Sequence, residues 1–251
     1  MTIANNIADR LIVALDFPTW DEALSLAQAM PEATHYKIGL EMFVAGGARG
    51  VGVLKGMGKK VFLDLKFHDI PNTVAQACCQ AALLGADMMN LHAAGGPKMM
   101  SKAAEELAAF CSRRGLKPPA LVAVTLLTSM DLPEMMSVGF AGQPGDVVTN
   151  LARLAKDANL GGVVASPLEI GQIREACGQD FLIVCPGIRP PGTPRDDQMR
   201  TLTAREAIAC GADHIVVGRP ITKAADPRKA AQEILHEIEQ GFAARQVYKQ
   251  V

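Results

Sequence analysis

The chain has 251 residues, 49% apolar but only 4% aromatic, and a net charge of -1. This length allows one α/β barrel or two small domains, and with no linker-like stretch between halves it reads as a single domain over 1–251. Near-neutral charge without a block of one sign excludes bulk electrostatic binding to nucleic acid or an anionic membrane; there is no bilayer-length apolar run and no basic segment leading into an apolar one at the N-terminus, so neither anchoring nor export is expected.

The first apolar run, 11–15, is followed by Asp16-Phe-Pro-Thr-Trp rather than G-x-G-x-x-G, so a dinucleotide site has no support. A helical stretch comes next, from Asp21 to Met30, with apolar residues every three or four positions and Thr19 or Asp21 as its cap. Further short apolar runs lie at 36–39, 61–65, 88–91, 121–126, 162–165, 182–185 and 214–217, separated by stretches of helical period such as 102–110. Each run is apolar almost throughout and ends at Gly, Pro, Ser, Thr or Asp, as parallel strands buried on both faces do. Eight strand–helix units in this length predict a (β/α)₈ TIM barrel rather than an open doubly wound sheet. Six cysteines (78, 79, 111, 177, 185 and 210), with no C-x-x-C pair and in apolar or helical surroundings, predict buried free thiols and a reducing cytoplasm.

Barrel chemistry sits at the C-terminal ends of strands. Those positions hold Asp16, Lys37, Asp64 with Lys66, Asn90 with His92, Thr125 with Thr128 and Ser129, Ser166, Arg189, and Gly218 with Arg219. A lone strand-end acid reads as a surface charge. Asp64 and Lys66 are different: they stand together in the apolar run Val61-Phe-Leu-Asp-Leu-Lys66, where simple alternation sends both to one face, and inward charges must be paired. Pro71 and Asn72 stop this strand, and a helix opens at Thr73. His68 and His92 lack a partner at metal-ligand spacing, and two lysines already stand among the acids, so no metal is expected.

Toward the end of the chain, Pro186-Gly-Ile-Arg189-Pro-Pro-Gly-Thr follows the seventh run and Gly218-Arg219-Pro220-Ile-Thr222 the eighth. Loops after strands 7 and 8 commonly grip phosphate through backbone N–H groups, and Arg219 adds a planar fork of donors. The alternative is that Gly-Arg-Pro is only a tight turn. The stretch 189–198, rich in Pro, Gly and Asp, reads either as a lid that brings Gln198 inward or as an unstructured surface loop.

Asp16, Lys37, the run Phe62-Leu-Asp-Leu-Lys-Phe-His-Asp-Ile-Pro-Asn-Thr73, Thr128-Ser129, Pro186-Gly-Ile-Arg-Pro190 and Gly218-Arg-Pro220, in that order, closely resemble the orotidine 5'-phosphate decarboxylases of bacterial type. The resemblance implies decarboxylation of orotidine 5'-phosphate to uridine 5'-phosphate in pyrimidine nucleotide synthesis, without a cofactor, in a homodimer whose sites are completed by the partner subunit. By motif position, Lys66 is the implied proton donor to C6, Asp64 lies beside the departing carboxylate, and Lys37 bridges Asp64 to the ribose. Asp69 and Thr73 are implied to reach the partner's site, with Ile70 of the same motif as a substrate contact. Asp16 is the implied ribose ligand, Thr128 or Ser129 the reader of the pyrimidine edge, and Gln198, Gly218 and Arg219 the phosphate end, with Arg189 nearby. Rival readings are a metal-dependent phosphosugar epimerase or aldolase-like synthase, a Schiff-base aldolase on Lys66, and a non-catalytic phosphosugar sensor.

Overall fold

An apolar run with no polar face needs cover on both sides, and a closed sheet jacketed by helices provides it. The structure, a computed structural model, describes residues 7–190 and 201–248. The strands are β1 (Leu11–Leu15), β2 (His35–Ile38), β3 (Lys60–Phe67), β4 (Met88–His92), β5 (Ala120–Val124), β6 (Gly162–Val164), β7 (Leu182–Cys185) and β8 (His214–Val217). They pair in parallel in chain order, and β8 returns to β1 to close the barrel. The eight predicted runs are these eight strands, shifted by a residue or two at their ends.

Alternation along each strand divides the core into two shells. Ile12, Ala14, Phe62, Met88, Val122, Val184 and Val216 fill the barrel interior, while Leu11, Val13, Leu15, Tyr36, Ile38, Leu63 and Met89 belong to the larger outer cluster under the helices. With so few aromatics, the interior is packed by small and branched side chains, and Ala14 leaves room above the floor at the C-terminal mouth.

The connections follow ordinary helix chemistry. Thr19 caps the helix Trp20–Ala29, its hydroxyl accepting from the Glu22 N–H at 3.4 Å, with Asp21 and Glu22 in the first turn facing the positive end of the dipole. The predicted stretch 102–110 lies within the helix Pro97–Arg114, which starts at a proline and stops at Gly115 in the left-handed region (φ 64°). The helix Pro71–Leu83 leaves β3 after only three residues, Pro71 supplying its first turn.

Two expectations need correction. Five of the cysteines are buried, but Cys210 is exposed, because Ala204, Ala207 and Ile208 take the core face of the helix Ala204–Cys210. Burial pushes the Cys78 thiol up to about 12, aided by Cys79 beside it. The second correction concerns β3: its alternation breaks before Lys66, with consequences for the site.

Among the described residues, no helix is long and apolar enough to cross a membrane.

Candidate active site

β3 leaves regular pairing where the charges begin. Leu63 lies opposite Met89, and the next paired residues are Phe67 and Leu91. Asp64, Leu65 and Lys66 are therefore opposed by Asn90 alone, a bulge that displaces the chain from strand geometry. Lys66 takes a left-handed backbone (φ 50°), a conformation that costs a non-glycine residue on the order of 1 kcal/mol. Asp64 and Lys66 do meet on one wall, but a bulge and a turned backbone bring them there.

Four charges run in a line along this wall. Asp16, just past β1, accepts a bond from Lys37 Nζ of β2 at 2.9 Å; Lys37 Nζ lies 3.4 Å from Asp64 Oδ2; Asp64 Oδ1 accepts from Lys66 Nζ at 2.7 Å. The inner members are the more enclosed, Lys37 and Asp64 side chains being 10% and 14% exposed against 54% for Asp16. Burial works against the Lys37 charge, but Asp64 and Asp16 outweigh it by attraction and hydrogen bonding, and its pKa is raised. The line also depends on a missing side chain: a Cβ at Gly39 would sit 2.9 Å from Lys37 Nζ and 3.2 Å from Asp16 Oδ1.

The line forms one side of a cavity of about 330 Å³. Its floor is the top of the barrel interior, with Ala14, Phe62, Val124, Val164 and Val216; the rest of its rim holds Thr128, Ser129, Pro186, Gly187 and Arg189, with Gly218 and Arg219 following β8 beside Asp16. Gly187 has φ 77°, which lets the chain turn over the rim after β7. Gly218 precedes the single turn Arg219–Thr222, and its carbonyl accepts from the Ile221 and Thr222 N–H groups. Arg189 bonds the Ile188 carbonyl at 3.0 Å and contributes to the lining. The cavity thus has an acid–lysine wall, an apolar floor and a rim with two arginines, suited to a flat ligand carrying an anionic group.

Of the predicted residues, Asp16, Lys37, Asp64, Lys66, Thr128, Ser129, Arg189, Gly218 and Arg219 all line this cavity. Asp69, Ile70 and Thr73 do not: they are exposed around the start of the helix Pro71–Leu83, Ile70 at 67%, and Asp69 Oδ1 accepts its neighbour's N–H at 2.6 Å. Gln198, with most of the predicted lid, lies outside the described residues. His68 and His92 lie beside the site with ring centroids 5.4 Å apart; burial, then the neighbouring His68 and Lys66, holds His92 below its ordinary pKa. Among the described residues, no group of three or more His, Cys, Asp or Glu is placed to hold a metal ion.

Two contributors, Gly39 and Lys223, carry no signal in the sequence, and a third, Asn90, carries a weak one. Gly39 has no chemistry to advertise it, Lys223 lies one residue past the turn Arg219–Thr222 and lines the cavity, and Asn90 is visible only as one more strand-end polar residue.

A closed (β/α)₈ barrel with a charged, open cavity at the C-terminal mouth defines the class of single-barrel enzymes that build their sites from strand ends. Comparison with known proteins narrows that class. Residues 9–234 match the family described as orotidine 5'-phosphate decarboxylase / HUMPS. Curated relatives named orotidine 5'-phosphate decarboxylase include one from Nitrosospira multiformis, 48% identical over 92% of this chain and 94% of its own length. Another, from a Nostoc species, is 43% identical over 92% of this chain and 97% of its own. A crystal structure of orotidine 5'-phosphate decarboxylase from Lactobacillus acidophilus superposes with a TM-score of 0.80 at 37% identity, covering 91% of this chain and 98% of that one. The chain belongs to the orotidine 5'-phosphate decarboxylase / HUMPS family.

Proposed function

We propose that this enzyme of the orotidine 5'-phosphate decarboxylase type converts orotidine 5'-phosphate to uridine 5'-phosphate and CO₂ without a metal or organic cofactor, with Lys66 as the proton donor. The observation that carries this reading is the line Asp16–Lys37–Asp64–Lys66 on one wall of a cavity whose rim has glycine and arginine in both of its last two loops. The names of relatives at 43% and 48% identity across nearly the whole chain support the substrate.

The chemistry follows from the groups present. Breaking the bond between C6 and the carboxylate releases CO₂ and leaves an electron pair on a ring carbon with no adjacent sink, so a fixed positive charge and a proton must be waiting there. The Lys66 ammonium supplies both, passing a proton to C6. Asp64, bonded to Lys66 and Lys37, would face the substrate carboxylate; two like charges ~4 Å apart at an effective dielectric of ~20 repel by roughly 4 kcal/mol, a repulsion relieved as CO₂ departs. Asp16 and Lys37 would hold the ribose, and Thr128 or Ser129 the pyrimidine edge. Arg219, Gly218, Arg189 and Gln198 would hold the phosphate, whose remote binding energy is expressed in the transition state.

The same reading makes the active form a cytoplasmic homodimer of single-domain subunits. Asp69, Ile70 and Thr73 are exposed and outside their own cavity, which supports the reading that they complete the partner's. Mixing inactive Asp69→Ala and inactive Lys66→Ala proteins should restore part of the activity, since one site in each hybrid dimer is intact. Demonstrated subunit exchange without recovered turnover would refute the shared site.

A further inference from the structure

The bulge in β3 gives Asn90 a particular task. Where Asp64, Leu65 and Lys66 leave the ladder, the Lys66 N–H loses its regular strand partner, and a buried N–H without an acceptor is costly. Asn90 Oδ1 accepts that N–H at 2.8 Å, and Asn90 Nδ2 donates to Asp64 Oδ1 at 2.7 Å. Asn90 is itself fully buried in β4, so its amide cannot relax into solvent. The amide orientation is dictated by its partners, because a flipped group would set its oxygen against a carboxylate and its N–H groups against an N–H. One side chain thus holds both members of the charged pair, one by its backbone and one by its carboxylate, and supports the left-handed backbone of Lys66.

We infer that Asn90 is a positioning residue for decarboxylation, setting the direction of Lys66 Nζ and Asp64 through the bulge in β3. This rests on the reading of Lys66 and Asp64 as the reacting pair. Among the uncharged side chains, only an amide of this length combines an acceptor for the N–H with a donor for the carboxylate. Leucine keeps the volume and neither bond. Aspartate keeps the acceptor but turns the donor into an oxygen facing Asp64; protonated, its hydroxyl again donates to Asp64, and a neighbouring carboxylate favours that protonation.

The test measures kcat and KM for orotidine 5'-phosphate across pH in the wild-type protein, Asn90→Leu and Asn90→Asp. Asn90→Leu should lower kcat about 100-fold with KM held within about threefold, because the phosphate rim is untouched while the reacting groups move. Its kcat relative to wild type should be flat with pH, whereas that of Asn90→Asp should climb as pH falls. The charged and titratable groups facing position 90, namely Asp64, Lys66, Lys37, His92 and His68, are present in all three proteins, so the wild-type profile is the reference for each ratio. A leucine variant within about threefold of wild-type kcat, or a flat aspartate ratio, would overturn the inference. If the leucine variant does not fold, the slope of the aspartate ratio decides alone. Should the wild-type protein show no decarboxylation, the reading of the reacting pair fails first; a crystal structure of Asn90→Asp then decides the positioning role, which is overturned if Asp64 keeps its place and its contact with Lys66 at neutral pH.

Discussion

The two ends of the barrel use charge in opposite ways. At the N-terminal end, charged side chains spend their hydrogen bonds on the backbone: Arg174 donates to the carbonyls of Gly178, Gln179, Phe181 and Gly211 as well as to Asp213, and Asp213 accepts the Ile183 N–H as well as Arg174. Asp87 likewise accepts from Lys55 and from the Val61 N–H. At the C-terminal mouth, Asp16, Lys37, Asp64 and Lys66 bond chiefly to one another and face a cavity. Charges at the base fasten strand ends and loops, whereas those at the mouth are assembled against mutual constraint and remain available to a ligand. Substitutions should therefore divide cleanly, with the mouth governing turnover and the base governing stability.

The largest effect is expected at Lys66. Lys66→Ala should reduce decarboxylation by at least about 10⁴-fold while uridine 5'-phosphate binding stays measurable by calorimetry, and Arg219→Ala should mainly weaken that binding, raising KM. A next, different kind of loss is expected at the base. Asp213→Ala leaves the enclosed Arg174 guanidinium without its counter-ion and should lower unfolding free energy by about 3 kcal/mol in urea titrations, with kcat of the folded fraction little changed.

The smallest effect at neutral pH is expected at His35, also at the base. Burial, reinforced by repulsion from His214, pushes His35 down to about 3. Between the ordinary histidine pKa of about 6.5 and that lowered value, the unfolded chain binds a proton that the native one does not, so stability falls as pH drops through this window. His35→Leu should shift the midpoint of acid unfolding to lower pH, as followed by the fluorescence of Trp20, the chain's only tryptophan. An unchanged midpoint would show that another group controls acid unfolding.

The barrel was legible because buried parallel strands announce themselves as short apolar runs, and the candidate residues because barrels place chemistry where such runs end. What was not legible arises from pairing between strands. Strict alternation puts Asp64 and Lys66 on one face without help, so nothing along β3 alone signals the bulge, the positive φ of Lys66 or the need for Asn90 opposite it. Gly39 escaped for a similar reason: the space it leaves is defined by Lys37 reaching toward Asp16 from β2. Cys210 was misplaced because an apolar neighbourhood in sequence does not say which face of a short helix a residue occupies.

The most direct measurement follows the ultraviolet absorbance of orotidine 5'-phosphate with the purified protein in excess EDTA. Stoichiometric conversion to uridine 5'-phosphate and CO₂, at the same rate with or without the chelator and lost in Lys66→Ala, is the predicted result. Absence of turnover, or turnover that chelation abolishes and added metal restores, would contradict cofactor-free decarboxylation at this site.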